Sequence, residues 1–161
     1  MKARPTIFLS GVTHELCSFR DAVKIEIEMK GCFGESQPGF PPDWRTVEEM
    51  LRRKLQDSDA VIHIVGFRYG AEPNQRPADK PRRSYTQMEF DIAREMQKPV
   101  YVFLSADAAL RDPANPDEKD ETPETVQLQV AHRDAVQRTN HLYYFFKDKA
   151  ELWKIKGVRN L

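Results

Sequence analysis

The feature that most constrains the fold is the stretch at residues 59–66, DAVIHIVG, which is short and almost continuously apolar. A run of this length, rich in β-branched residues, predicts a strand rather than a buried helix. Strands without polar alternation are covered on both faces, as in parallel sheets flanked by helices. The one polar residue in the run, His63, is interpreted as a hydrogen-bonded core residue rather than a metal ligand.

Other segments extend this pattern along the chain. Apolar runs predict strands at 6–10, 99–104 and 142–146, with a short strand opening at Cys32 and Phe33. Helical spacing predicts helices from an N-cap at Thr13 to Gly31, then at 46–56, 85–97 and 123–138, with a short helix at 149–153. Segments rich in Pro, Gly or Asp predict loops at 36–43, 70–83 and 106–122, the last being a long surface loop.

Strands and helices therefore alternate along the whole chain, which is typical of α/β proteins. We predict a flavodoxin-like, five-stranded parallel sheet in the order 2-1-3-4-5, with helices on both faces. The 161 residues fit a single domain, 1–161. Because no clear stop precedes Leu161, we expect this domain to be the N-terminal module of a longer protein. Ligands of such sheets bind at the carboxyl ends of the strands.

The charge balance argues against polyanionic partners. Lys plus Arg total 25 and Asp plus Glu total 25, so no net field attracts nucleic acid or an acidic membrane. The basic cluster of Lys80, Arg82 and Arg83 is interpreted as a solvated loop. The N-terminal apolar run is too short for a signal sequence or a membrane span. Cys17 and Cys32 lack metal spacing and suit reduced thiols, so we expect a cytoplasmic protein.

Common catalytic motifs are not found. The sequence has no Walker loop, no GxGxxG after the first strand and no GxSxG turn. Its four histidines are scattered, so neither a metal nor a bound cofactor is predicted. The informative stretches are 66–70 (GFRYG), where the central strand ends, and 84–93 (SYTQMEFDIA), where the next helix begins.

Glu89 is the candidate catalytic residue of the second stretch. A carboxylate near a helix N-terminus is kept ionised by the helix dipole, and it can attack or stabilise a ribosyl oxocarbenium ion. Arg68 would bind phosphate or a carboxamide oxygen. Tyr69 and Tyr85 would stack on a base or line a ribose site.

A structural interpretation of the same residues stays open. Ser84 with Gln87, and Thr86 with Glu89, both have capping-box spacing, so Glu89 would serve only as a cap. Tyr85 would then belong to the core. Asp91, the other acid of this helix, is expected to face solvent.

Taken together, these residues resemble the Toll/interleukin-1 receptor (TIR) domain superfamily. The resemblance is closer to the bacterial TIR-like domains at the N-termini of multidomain ATPase and repeat proteins. It covers roughly residues 5–105, and the motifs that carry it are 7–10 (IFLS), 19–22 (FRDA), 57–59 (DSD), 66–70 (GFRYG), 84–93 (SYTQMEFDIA) and 98–100 (KPV).

The resemblance implies an NAD nucleosidase or cyclase that acts in antiviral defence signalling and is activated by self-assembly. NAD would be the substrate rather than a cofactor, with Glu89 as the residue required for cleavage. We expect substrate contacts from the following residues: Ser10, Gly11, Phe40, Gly66, Arg68, Tyr69, Ser84 and Tyr85. Two alternatives remain, a non-catalytic interaction module and an enzyme similar to nucleoside deoxyribosyltransferases, which also place a glutamate against a ribose.

Overall fold

The computed structural model describes residues 3–11, 14–37, 39–139 and 142–152. Its elements alternate along the chain as β1 Thr6–Gly11, α1 Cys17–Met29, β2 Phe33–Ser36, α2 Trp44–Gln56, β3 Ala60–Val65, α3 Tyr85–Glu95, β4 Val100–Ser105, α4 Pro123–Arg138 and β5 Tyr143–Phe146. The strands form one parallel sheet in the order β2-β1-β3-β4-β5. The predicted fold class and strand order are therefore confirmed.

Strand β3 is the centre of the sheet, and each of its residues is buried. It pairs with β1 on one side and β4 on the other, with Ser10 opposite His63 and His63 opposite Val102. Both neighbours are parallel, so the carboxyl ends of these three strands meet at one edge of the sheet. The position of the site follows from this convergence.

Alternating side chains of the strands divide the core into two layers. Ile7 and Leu9 of β1 pack with the apolar face of α1, whereas Phe8 packs with α2 and α3 on the opposite face. Ser10 and His63 follow the parity of Phe8 and Val61, so they lie on the α2 and α3 side. This is the face on which the polar groups of the site meet.

The loop between β4 and α4 is fastened to the start of α1. Asp112 accepts a hydrogen bond from the Ser18 N–H at 2.7 Å, and further bonds from the Ser18 hydroxyl at 2.5 Å and the Cys17 thiol at 3.1 Å. It therefore caps a helix whose own N-cap residue, Leu16, makes no side-chain bond. The predicted cap, Thr13, lies outside the described residues. The predicted surface loop at 106–122 is therefore present, and these bonds attach it to the start of α1.

Several predicted boundaries shift by a few residues. Helix α2 begins earlier than predicted because the Asp43 carboxylate accepts the Thr46 N–H and caps it. Strand β2 runs on to Ser36, and α3 ends at Glu95. The short C-terminal helix appears as a single turn over 149–152, and Trp153 lies outside the described residues. In the described part of the chain, no helix is both long enough and apolar enough to span a membrane.

Candidate functional site

A cleft of about 400 Å³ opens where β1 and β3 end and α3 begins. Its volume is in the range of small-molecule sites. Four of the predicted site residues line it, namely Gly11, Phe40, Arg68 and Tyr85; the other lining residues are His14, Gly70, Ala71, Thr86, Asp117, Glu118 and Lys119. The remaining predicted residues, Ser10, Gly66, Tyr69, Ser84 and Glu89, lie outside this lining and are buried.

Glu89 lies one helical turn beyond Tyr85 on α3, and only 3% of it is exposed. Burial raises the pKa of its carboxyl to about 8, against the opposing effects of a hydrogen bond with Ser10 and the positive charge of Arg20. Its Oε2 atom is buried without a hydrogen-bond partner. The expectation that the helix dipole keeps Glu89 ionised is wrong, because desolvation outweighs a dipole effect that fades beyond the first turn.

The capping role falls to other residues. The Ser84 hydroxyl accepts the Gln87 N–H at 3.2 Å, and the Gln87 side chain accepts the Ser84 N–H at 3.4 Å. This capping box satisfies the start of α3 without Glu89. The interpretation of Glu89 as a helix cap is therefore wrong, and its burial needs another explanation.

The aromatic wall of the cleft is a stacked pair. The rings of Phe40 and Tyr85 lie 4.3 Å apart between centroids at 19°, and the Tyr85 hydroxyl donates to the Pro41 carbonyl at 3.3 Å. Because Phe40 comes from the loop after β2, the stack joins this loop to the first turn of α3. Tyr85 lines the cleft, whereas Glu89, one turn later on α3, does not.

Gly66 is required by a buried carboxylate that the sequence analysis missed. Glu15 is 1% exposed, and its oxygens accept the N–H groups of Phe67 at 2.8 Å and Arg68 at 3.1 Å. A Cβ atom at Gly66 would lie 2.3 Å from this carboxylate. Gly66 therefore makes room for Glu15, and it lies outside the lining of the cleft.

Arg68 reaches the cleft but is already paired. Its side chain lies 2.6 Å from Glu118, and it donates to the Lys119 carbonyl at 2.6 Å. Glu118 also pairs with Arg111 at 2.9 Å, and only 11% of its side chain is exposed. The loop after β4 thus places a carboxylate where Arg68 would receive an anionic ligand.

Tyr69 is not free to stack on a base. It is 1% exposed, and its hydroxyl donates to Glu72 at 2.9 Å. Its N–H donates to Glu121, another acid of the loop after β4. Tyr69 therefore anchors the end of β3, and of the two tyrosines predicted to stack on a base only Tyr85 lines the cleft.

The basic cluster beside α3 is neutralised by ion pairs. Arg82 pairs with Glu72 at 2.7 Å and with Glu124 at 2.9 Å, and Arg83 pairs with Asp91 at 2.8 Å. The prediction of a solvated loop is incomplete, since these pairs join the segment to α3 and α4. Asp91 faces partly outward, with 38% of its side chain exposed.

A buried pair of histidines lies behind Glu89. His63 Nε2 lies 2.8 Å from His132 Nε2, and His63 Nδ1 lies 2.9 Å from the Ser10 hydroxyl. The prediction that His63 is a hydrogen-bonded core residue is confirmed. His132 was not predicted as its partner, although a polar residue inside an apolar strand signals that some partner must exist.

The comparisons with known proteins agree with the extent of this fold. No curated protein matches the chain. The family model described as domain of unknown function (DUF4062) matches residues 6–156, from the first residue of β1 to beyond β5. The match includes every residue that lines the cleft and every residue that surrounds Glu89. This chain belongs to the DUF4062 family.

Proposed function

We propose that the protein cleaves the N-glycosidic bond between nicotinamide and ribose in NAD, as a nucleosidase or cyclase switched on by self-assembly. The observation that carries the proposal is the state of Glu89. It is a buried carboxyl with one unpartnered oxygen, and it lies one turn beneath the cleft at the strand ends. Such an arrangement has a cost to stability that capping does not explain, which is typical of functional carboxyls.

The cleft has groups suited to the parts of NAD. The Phe40 and Tyr85 stack offers an aromatic face for a ring, and Arg68, His14 and Lys119 offer positive or hydrogen-bonding groups for a pyrophosphate. In the proposed complex the nicotinamide ribose approaches the first turns of α3, with C1′ towards Glu89.

Glu89 acts as the carboxylate that faces the reacting carbon. The bond between C1′ and the pyridinium nitrogen breaks, and its electron pair neutralises the departing nicotinamide. The positive charge that develops at C1′ is stabilised by the Glu89 carboxylate. Water then adds and loses a proton to give ADP-ribose, or a group of the same molecule adds to give a cyclic product. Because the leaving group is cationic in the substrate, no general acid is required.

The arrangement seen here corresponds to a resting state in this proposal. At neutral pH a carboxyl with a pKa of about 8 is mostly protonated, and Glu89 lies outside the lining of the cleft. Opening of the Phe40 and Tyr85 stack would hydrate Glu89, and a bound pyridinium cation would favour its ionised form. Self-assembly that moves the loop after β2 is the proposed trigger for this opening.

The first test is NAD consumption by concentrated protein, with and without a crowding agent, for wild type and Glu89→Ala. We expect nicotinamide release by wild type and a loss of at least a hundredfold in the variant. Glu95→Ala is the matched control, because Glu95 lies on the same helix, with 62% of its side chain exposed, and pairs only at the surface with Arg52. Equal rates for wild type and Glu89→Ala would reject the proposed reaction centre.

A second prediction concerns the acid that holds Arg68. Glu118→Gln should free Arg68 for a substrate phosphate and lower the KM for NAD by about five- to tenfold, the effect of one charged hydrogen bond. Steady-state kinetics of nicotinamide release measure this change.

Asp117→Asn is the control for the Glu118 effect. Asp117 lines the same wall, and among the described residues no ion pair joins it to Arg68. The Asp117 variant should change KM by less than twofold. Equal effects of the two variants would show that general charge, rather than release of Arg68, governs binding.

One observation favours the interaction-module alternative as a second candidate. The edge strand β5 and helix α4 expose apolar side chains, namely Tyr143, Phe145, Val126 and Val130. Exposed apolar residues of this kind are typical of contact surfaces. A module of this type would assemble without consuming NAD, so the assay above separates the two functions. The free thiols of Cys17 and Cys32 suit the cytoplasm, which is the compartment proposed for either function.

A further inference from the structure

A row of buried polar side chains runs from Glu89 on α3, through β1 and β3, to α4. The Ser10 hydroxyl lies 2.9 Å from His63 Nδ1, and its interaction with the Glu89 carboxyl lowers the pKa of that group. His63 Nε2 lies 2.8 Å from His132 Nε2. Ser10 and His63 are fully buried, and Glu89 and His132 are each 3% exposed. The members of this row must therefore satisfy one another's donors and acceptors.

The hydrogen bond between the two histidines contains a single proton. Both rings are neutral, because burial lowers the pKa of His63 well below its usual range and that of His132 to about 3. Two bare nitrogens at 2.8 Å would repel each other, and so would two N–H groups. One Nε2 atom therefore donates and the other accepts. The hydrogen bonds along the whole row can then run in either of two directions.

In the first direction, His63 donates from Nε2 to His132. Its Nδ1 then has no hydrogen and accepts from the Ser10 hydroxyl. Because the only hydrogen of the hydroxyl is used, Ser10 can offer Glu89 an acceptor and nothing else. The carboxyl must then be protonated to complete the bond, so this direction fits a neutral Glu89.

In the second direction, His132 donates from Nε2 to His63. His63 carries its proton on Nδ1 and donates it to the Ser10 oxygen, and the hydroxyl donates to Glu89. The carboxyl is then an acceptor and is ionised. In passing from the first arrangement to the second, Glu89 loses one proton to solvent. The His63 proton moves from Nε2 to Nδ1, and the His132 proton moves from Nδ1 to Nε2.

We propose that His63 is a positioning residue whose tautomer, relayed by Ser10, is coupled to whether Glu89 is a neutral acid or a carboxylate. The coupling deepens the proposed NAD cleavage and rests on it for its catalytic meaning. Opening the cleft would then do more than hydrate Glu89. It would switch the hydrogen-bond direction of the row, and the buried imidazoles would hold the carboxylate ready for the substrate.

The groups around the row are compatible with this switch. Arg20 of α1 provides a positive charge that favours the ionised form of Glu89. The face of Phe90 on α3 stacks on His63 at 4.9 Å between ring centroids, and its ring meets His132 edge-on at 5.3 Å. Arg83, before α3, disfavours a positive charge on His132. The ring protons can therefore redistribute without either histidine becoming a cation.

The test is a pH titration of the whole protein by NMR. The ¹⁵N shifts of the His63 ring report which nitrogen carries the proton, and the ¹³C shift of the Glu89 carboxyl reports its ionisation. We expect His63 to change from the Nε2-H to the Nδ1-H tautomer at the same midpoint as Glu89, near pH 8. A substitution of each histidine in turn assigns its signals.

Two variants sharpen the test. In Glu89→Gln the amide does not ionise, so the His63 shifts should stay constant from pH 6 to pH 10. Ser10→Ala removes the relay, so Glu89 should titrate at higher pH while the His63 tautomer no longer follows it. A fixed His63 tautomer throughout the wild-type titration would overturn the proposal, as would formation of a doubly protonated His63 ring.

These measurements use no substrate, so they can fail independently of the proposed reaction. Coupled titration in a protein that does not consume NAD would support the row and reject the nucleosidase. NAD consumption with a fixed His63 tautomer would support the nucleosidase and reject the coupling between His63 and Glu89. If both hold, the pH dependence of kcat should share the midpoint of the tautomer change, which a purely structural histidine would not produce.

Discussion

Glu89→Gln is expected to abolish NAD cleavage and, in the same molecule, to stabilise the fold above pH 8. The wild-type carboxyl has a pKa of about 8 in the folded protein and an ordinary value of 4.5 when unfolded. Between these values the folded state keeps a proton that the unfolded state has lost, so stability falls as pH rises. The full difference corresponds to roughly 5 kcal/mol above pH 8.

The amide variant removes this penalty because it is neutral at every pH. Urea unfolding at pH 5 and pH 9 should show a gain of about 3–5 kcal/mol over wild type at pH 9 and little gain at pH 5. Nicotinamide release should be lost at both. A catalytic group that is costly to the fold is a common compromise in enzymes.

Glu95→Gln is the control for both effects of this substitution. The residue makes a surface ion pair with Arg52 at 2.8 Å, and such pairs contribute less than about 1 kcal/mol. The control variant should keep its activity and show no difference between the two pH values. If Glu89→Gln gains no stability at pH 9, the folded protein does not hold a neutral Glu89, and the resting state proposed here is wrong.

The sheet was predictable from the sequence because its signals are local. The apolar run of β3 and the alternation of strands and helices determine both the layers and the parallel pairing. The catalytic role predicted for Glu89 depends mainly on the resemblance. Its burial, in contrast, could be predicted from the helical spacing of the α3 sequence. Tyr85 and Ile92 lie on the inner face of α3, and Glu89 falls between them at helical intervals from both.

The neighbours of Glu89 were not predictable in the same way. Three acids fasten the strand ends and the start of α1. They are Glu15, Asp112 and Glu118, and each lies far from its partner along the chain. A single acid in a polar segment has no periodicity, so the sequence does not reveal which one turns inward. His63 needed a buried partner, but nothing local distinguishes His132 from the other histidines as that partner.

The same buried groups predict that stability is highest near pH 6.5. His132 has a pKa of about 3 when folded, and the pKa of His63 is also far below its ordinary value of 6.5. Below pH 6.5 the unfolded chain binds protons on both rings that the folded protein does not. These two groups together outweigh the opposing effect of Glu89, so stability rises with pH up to that point. Above it the Glu89 effect remains, and stability declines towards pH 8.

His132→Gln tests the acid side of this curve. The amide keeps a hydrogen-bonding group for His63 but does not titrate, so the rise in stability between pH 4.5 and pH 6.5 should lose the contribution of one proton. Between pH 6.5 and pH 4.5 the variant should lose about 2 kcal/mol less of its free energy of unfolding than wild type loses. Urea unfolding across this range measures both slopes.

His14→Gln is the control for the acid side of the stability curve. His14 is exposed at the rim of the cleft, so its substitution should leave the curve unchanged. An unchanged acid side of the curve in His132→Gln would show that the His63 and His132 pair is not held neutral in the folded state. The tautomer coupling would then lose its physical basis, because a charged pair cannot pass a single hydrogen-bond direction to Glu89.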